Sequence, residues 1–187
     1  MMHANTNTRD VWSATIGGKP AVGTAAERSR RTSMRDVEMF TAMTGDRNPL
    51  HYDPLLASQT PFGSLIVQGG VTSGLLNAVV AEDLPGPGTV FLGVEWRFLK
   101  AVHVGEEITA RVEVVAVRDD KPICTMATAI RNARGEVCLS GSAVTYTVPL
   151  IAGVAGGATA KPNALIPARK ASELLGPPRQ GNKVKQS

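Results

Sequence analysis

An acid and an imidazole stand five residues apart in the stretch Thr44-Gly45-Asp46-Arg47-Asn48-Pro49-Leu50-His51. An Asp carboxylate and a His ring held together can share one water and shuttle its proton, general acid–base work that contributes about 10²–10⁴-fold to a rate. The spacing alone assigns the proton to neither side chain. Singly, an Asp after Gly is commonly a turn residue, and a lone His is commonly structural. The pair on one stiff loop is what points to chemistry. Gly45 suits the left-handed end of a helix. Pro49 biases Asn48 away from helical geometry, so the loop is tight and can aim Asp46 and His51 at one point. Asn48 is expected to order that loop by hydrogen bonds rather than to act on a substrate.

The helix that delivers the loop should begin at Ser33. Ser33-Met34-Arg35-Asp36 resembles a capping box with Asp in place of Glu, and Val37, Phe40, Thr41 and Thr44 then recur at helical spacing until Gly45. Beyond the loop, Asp53 is placed to cap a short helix over Pro54–Ser58, with Pro54 at its first position. A long helix of small and aliphatic residues is expected from about Gly69 to Asp83, stopped by Leu84-Pro85-Gly86-Pro87-Gly88. From Pro54 to Ala81 there is no charge, and the stretch reads as a loop plus a helix buried on all sides. Pro61, Gln68 and the glycines interrupt it too often for a membrane span.

The remainder reads as strands. Thr89–Ala101 carries Trp96 and Phe98 on one face, and Glu107–Arg118 carries Ile108, Ala110, Val112, Val114 and Ala116 on one face. Ile123–Arg131 and Glu136–Val148 flank a turn at Asn132–Gly135. An extended segment or edge strand is expected within Ala21–Thr32. A central apolar helix followed by four sequential antiparallel strands is an α+β layout.

The whole chain sets limits on function. Its formal charge is +4, yet residues 151–187 hold six Lys or Arg against the single acid Glu173, which leaves −1 on residues 1–150. The basic character belongs to the tail, and no nucleic-acid footprint marks the body. Residues 1–20 are expected to form a flexible leader without a signal-peptide core, 21–149 the domain, and 150–187 an Ala/Gly linker with a basic, disordered tail. If the turn closes a hairpin, Cys124 faces Ala143 and Cys138 faces Ala129, so the expectation is two reduced thiols in a cytoplasmic protein.

Phe40-Thr-Ala-Met-Thr-Gly-Asp46-Arg-Asn48-Pro49-Leu-His51, with Ala57 six residues later, resembles the hydratase-2 signature of the MaoC-like dehydratases. The likeness runs on through Leu65-Ile-Val-Gln-Gly-Gly, Leu84-Pro-Gly, Phe91-Leu-Gly and Asp120-Lys121-Pro122-Ile123, covering roughly residues 21–148. It is strongest to short, single-domain R-specific enoyl-CoA hydratases that supply R-3-hydroxyacyl-CoA for polyester (polyhydroxyalkanoate) synthesis. The resemblance implies a hot-dog fold, a long helix wrapped by an antiparallel sheet, and a homodimer. It implies reversible hydration of a trans-2-enoyl-CoA by water shared between Asp46 and His51, with syn addition giving the R product. It matches Gly69 to the family's oxyanion glycine, and a helix N-terminus suits that role because its backbone N–H groups are unpaired.

Neither metal nor redox cofactor is implied; CoA belongs to the substrate, and neither nucleic acid nor membrane is expected as a partner. Phe62 and Leu65, with Trp96, are candidates to line an acyl pocket, and Arg47 is a candidate contact for CoA phosphate. Gln68 stands where many relatives have His, Asn77 where a close relative has Ser, and Met43 where a small aliphatic residue is usual. Three other functions fit the same residues: a dehydratase of acyl-carrier-protein thioesters, a hydratase module associated with a phosphotransacylase through residues 151–187, and a catalytically silent acyl-thioester binder. Retention of Asp46, His51 and Gly69 argues against the last.

Overall fold

The structure, a computed structural model, describes residues 10–150. Along the chain run β1 (Ala25–Arg31), α1 (Met34–Thr44), a 3-10 turn (Pro49–His51), α2 (Pro54–Ser58), α3 (Gly69–Glu82), β2 (Thr89–Phe98), β3 (Glu107–Val117), β4 (Ile123–Asn132) and β5 (Val137–Thr147). The strands form one antiparallel sheet in the order β1-β3-β4-β5-β2, and α3 packs across it. This is the expected α+β, hot-dog arrangement. Sequential pairing holds only for β3-β4-β5. The link between β2 and β3 is not a tight hairpin: Val67 N–H donates to the Val102 carbonyl (2.9 Å), and Val104 N–H to that of Leu65 (3.1 Å). It is therefore tied to the segment before α3, and β2 lies at the far edge beside β5.

Helix α3 buries Thr72, Leu75, Leu76, Val79 and Val80, a stripe at helical spacing. These meet Ile108, Ala110, Val112 and Val114 of β3, Met126 and Ile130 of β4, and Leu139 and Ala143 of β5 in a single core. The expectation of a helix buried on all sides is corrected. Asn77 is exposed, and Ser73, Gly74, Ala78 and Ala81 are half-buried. A single sheet floors one side of a helix, so one chain leaves the other side uncovered.

Three further expectations need correction. The alternation of β3 holds from Ile108 to Val114, but the register shifts between Val114 and Ala116, and Ala116 is exposed rather than in the core. A bulge inserts one residue and swaps the faces beyond it. The supposed flexible leader is docked over its described part: Trp12 is 1% exposed, packs in the core and donates its indole N–H to the Arg118 carbonyl (3.1 Å). One indole buries enough apolar surface to hold an otherwise polar segment. Cys124 lies opposite Thr145 and Ala143 opposite Met126: the β4–β5 ladder opens at Arg131–Val137, one residue out of the expected register, and the shift between Ile130 and Arg131 adds a second. Both thiols are free and buried, and burial pushes that of Cys124 up to about 11. The expected leader residues 1–9 and the linker and tail over 151–187 lie outside the described residues.

Candidate active site

The acid is presented by the end of α1. At the start of that helix the Ser33 backbone N–H donates to Asp36 Oδ2 (2.8 Å), the capping interaction expected from the sequence. At its end Gly45 adopts φ +81°, a left-handed conformation favoured by glycine, and returns its N–H to the Thr41 carbonyl (2.8 Å). The chain reverses there and places Asp46 beside the helix it has just left. Thr41 Oγ1 donates to the Asp46 carbonyl (2.6 Å), and Asp46 N–H donates to Thr44 Oγ1 (3.2 Å). Asp46 Oδ1 accepts from Asn48 N–H (3.0 Å), while the Asn48 side chain accepts from Leu50 N–H (3.1 Å). Asn48 therefore orders the loop, as expected, and leaves Asp46 Oδ2 unclaimed by it.

The imidazole comes from the 3-10 turn that Pro49 starts. His51 closes this turn and is buried, its side chain 8% exposed against 38% for that of Asp46. Its Nδ1 lies 2.7 Å from the Ile66 carbonyl oxygen. A carbonyl only accepts, so Nδ1 carries the hydrogen, and in the neutral ring Nε2 presents a lone pair. Nε2 faces Asp46 Oδ2 at 3.7 Å, too long for a direct hydrogen bond and short enough for one water to reach both acceptors.

The Ile66 segment leads directly into α3. Two residues on, Gln68 is the N-cap, and Gly69 and Gly70 open the helix. Among the described residues, neither Gly69 N–H nor Gly70 N–H finds a protein acceptor, so both are available to an oxyanion at the positive end of the helix. The Phe98 ring lies against Gly69, where an added Cβ would come to 3.0 Å from it. Gly70 is where α3 crosses α1, and a Cβ there would collide with the Phe40 ring. Gly70→Ala is expected to cost about 1–3 kcal/mol by overpacking, read as a fall of several degrees in Tm in thermal denaturation.

The remaining candidates are spread around this centre. Arg47 is exposed on the loop, Phe62 is 40% exposed in the Pro61–Ser64 loop, and Leu65 is half-buried. Trp96 stacks edge-on with Phe91 and donates to Thr128 Oγ1 (3.1 Å), so it belongs to the packing of the sheet. Asn77 lies eight residues into α3, about 12 Å along it from Gly69. Three contributors are not assigned from the sequence, the Ile66 carbonyl, Thr41 as an anchor and Tyr52, whose hydroxyl donates to Thr41 Oγ1, while Gln68 stands out there only as a departure from its relatives. The first leaves no side-chain signature. Thr41 and Gln68 did carry a signal, since a polar residue on the buried face of a helix or before an apolar one needs a partner.

Comparison with known proteins places these elements in company. A family model described as a MaoC like domain matches residues 16–134. The chain is 42% identical over 123 residues to an (R)-specific enoyl-CoA hydratase of Aeromonas caviae, covering 66% of this chain and 92% of that one. It is 35% identical over 123 residues to a 3-hydroxybutyryl-CoA dehydratase of Methylorubrum extorquens, covering 66% and 78%. A solved structure described as the (R)-hydratase from A. caviae involved in PHA biosynthesis superposes with a TM-score of 0.67 at 40% identity, covering 69% and 98%.

Proposed function

The chain belongs to the family of MaoC-like domains, and on that footing we propose that it catalyses the reversible hydration of trans-2-enoyl-CoA to (R)-3-hydroxyacyl-CoA. The observation that carries the reading is the 3.7 Å gap between His51 Nε2 and Asp46 Oδ2, two acceptors facing each other with the histidine tautomer fixed from behind. A water between them donates one hydrogen to each and turns a lone pair outward. In the forward direction its oxygen attacks C3 of the enoyl thioester while Nε2 takes its proton. Asp46 holds the water and stabilises the imidazolium, and Gly69 N–H stabilises the enolate oxygen. Nε2 then returns that proton to C2. One group on one face carries the proton both ways, so addition is syn and reversal removes the C2 proton by the same nitrogen. No atom is left over: water adds across C2 and C3.

With crotonyl-CoA, the wild-type protein is expected to bleach the absorbance of the conjugated thioester and to yield the R alcohol. No bleaching across several chain lengths, presented on CoA and on carrier protein alike, sinks the reading. Side-by-side rates on the two carriers separate a hydratase from a carrier-protein dehydratase.

The protein works as a homodimer paired through the β2 edge. That edge is open and shows Val90, Val94 and Phe98, each about half exposed. An unprotected apolar edge strand invites pairing with another chain, and the outer side of α3 between Gly69 and Ala81 is uncharged. Phe98 lies at Gly69, so each site sits close to the pairing edge. Sedimentation velocity should give twice the chain mass, and Val94→Lys should give the single-chain mass. Two buried, unpaired thiols favour the cytoplasm as its location; among the described residues no helix is long and apolar enough to cross a membrane.

A further inference from the structure

Gln68 is 2% exposed, and its amide is not directed at solvent. Nε2 donates to the Val37 carbonyl (3.3 Å) and to Thr41 Oγ1 (3.2 Å), while Oε1 has no partner among the described residues. A reversed amide would set Oε1 against the Val37 carbonyl, so the orientation is fixed. Thr41 is the hub. Its single hydrogen goes to the Asp46 carbonyl (2.6 Å), and its two lone pairs receive Gln68 Nε2 and the Tyr52 hydroxyl (2.5 Å). That fills the capacity of a threonine hydroxyl. Gln68 is also the residue immediately before Gly69. A continuous path therefore runs from the backbone of the acid, through Thr41 and the Gln68 side chain, to the helix end that offers its N–H groups.

Stability does not explain this amide. A buried acceptor left unpaired is worse for folding than an apolar side chain of the same shape. Methionine in place of Gln68 would remove the unpaired Oε1 and leave no other group stranded. Val37 keeps the helical hydrogen bond of its carbonyl within α1, and Thr41 keeps Tyr52 and Asp46. We infer that Gln68 and Thr41 are positioning residues that fix the separation between the acid–base pair and the oxyanion end of α3. The inference rests on the hydratase reading and adds to it what holds the two halves of the site in register.

The test is a double-mutant cycle on the full chain, with kcat and KM for crotonyl-CoA and Tm measured for each protein. Gln68→Met is expected to lower kcat about tenfold with KM within about twofold, because a small misplacement of reacting groups is costly. Its Tm should stay within about 3 °C of wild type or rise. Thr41→Val should show a similar loss in kcat, and Thr41→Ser, which keeps the hydroxyl, should recover most of it. The double variant Gln68→Met/Thr41→Val should lose about tenfold rather than the roughly hundredfold of independent sites. Wild-type kcat in Gln68→Met, multiplicative losses in the double variant, or a Tm of Gln68→Met that falls in step with its kcat would overturn the positioning role. A wild-type protein without turnover overturns the hydratase reading itself, and is distinct from all three.

Discussion

Replacing Asp46 with Asn should lower kcat for crotonyl-CoA hydration by about 10²–10⁴-fold and leave the fold intact. Asn retains an oxygen to accept the Asn48 N–H that Oδ1 now receives at 3.0 Å, so the loop keeps its shape. The change falls on the other atom. Oδ2 faces His51 Nε2 at 3.7 Å as an acceptor, and an amide nitrogen there is a donor. It competes for the Nε2 lone pair, offers the water no acceptor and removes the charge that stabilises the imidazolium. Because the Asp46 side chain is more than a third exposed and makes no direct hydrogen bond to the neutral His51 ring, the change should cost at most about 1 kcal/mol of stability. Steady-state kinetics alongside urea denaturation reads both quantities, and a fall in kcat without a shift of the unfolding midpoint is the expected pattern.

His51→Ala should abolish as much activity and, unlike Asp46→Asn, destabilise the protein. The proton carrier is lost, again about 10²–10⁴-fold. The ring is also buried, and its Nδ1–H is what satisfies the Ile66 carbonyl at 2.7 Å. Truncation leaves that carbonyl unpaired and opens a cavity, together costing at least about 2 kcal/mol. The same urea titration measures it. Asp46→Asn and His51→Ala combined should be little slower than the slower single variant, since groups that act as one unit do not contribute independently.

Much of this site is local in sequence, and for that reason it was legible. Ser33 with Asp36 marks the start of α1, Gly45 its end and Pro49 the turn, each through geometry within a few residues. The Pro-Gly run after α3 and the alternation of Ile108 to Val114 are equally short-range. What could not be read depends on contacts between distant segments. The crossing of β2 to the far edge, the bulge that turns Ala116 outward and the docking of Trp12 are set by tertiary packing. The tautomer of His51 depends on a backbone carbonyl fifteen residues away, which has no side chain to betray it. Gln68 stood out as an unusual residue, but only its contact with Thr41, 27 positions earlier, gives it a task.

The central claim is that one water, held between Asp46 and His51, adds to a single face of the double bond. Hydration of crotonyl-CoA in deuterium oxide, followed by NMR of the product, tests it directly. The expected product is the R alcohol with one deuterium at C2 on the face that received the hydroxyl, formed by wild type and lost in Asp46→Asn. An S product, deuterium on the opposite face, or wild-type turnover by Asp46→Asn would contradict it.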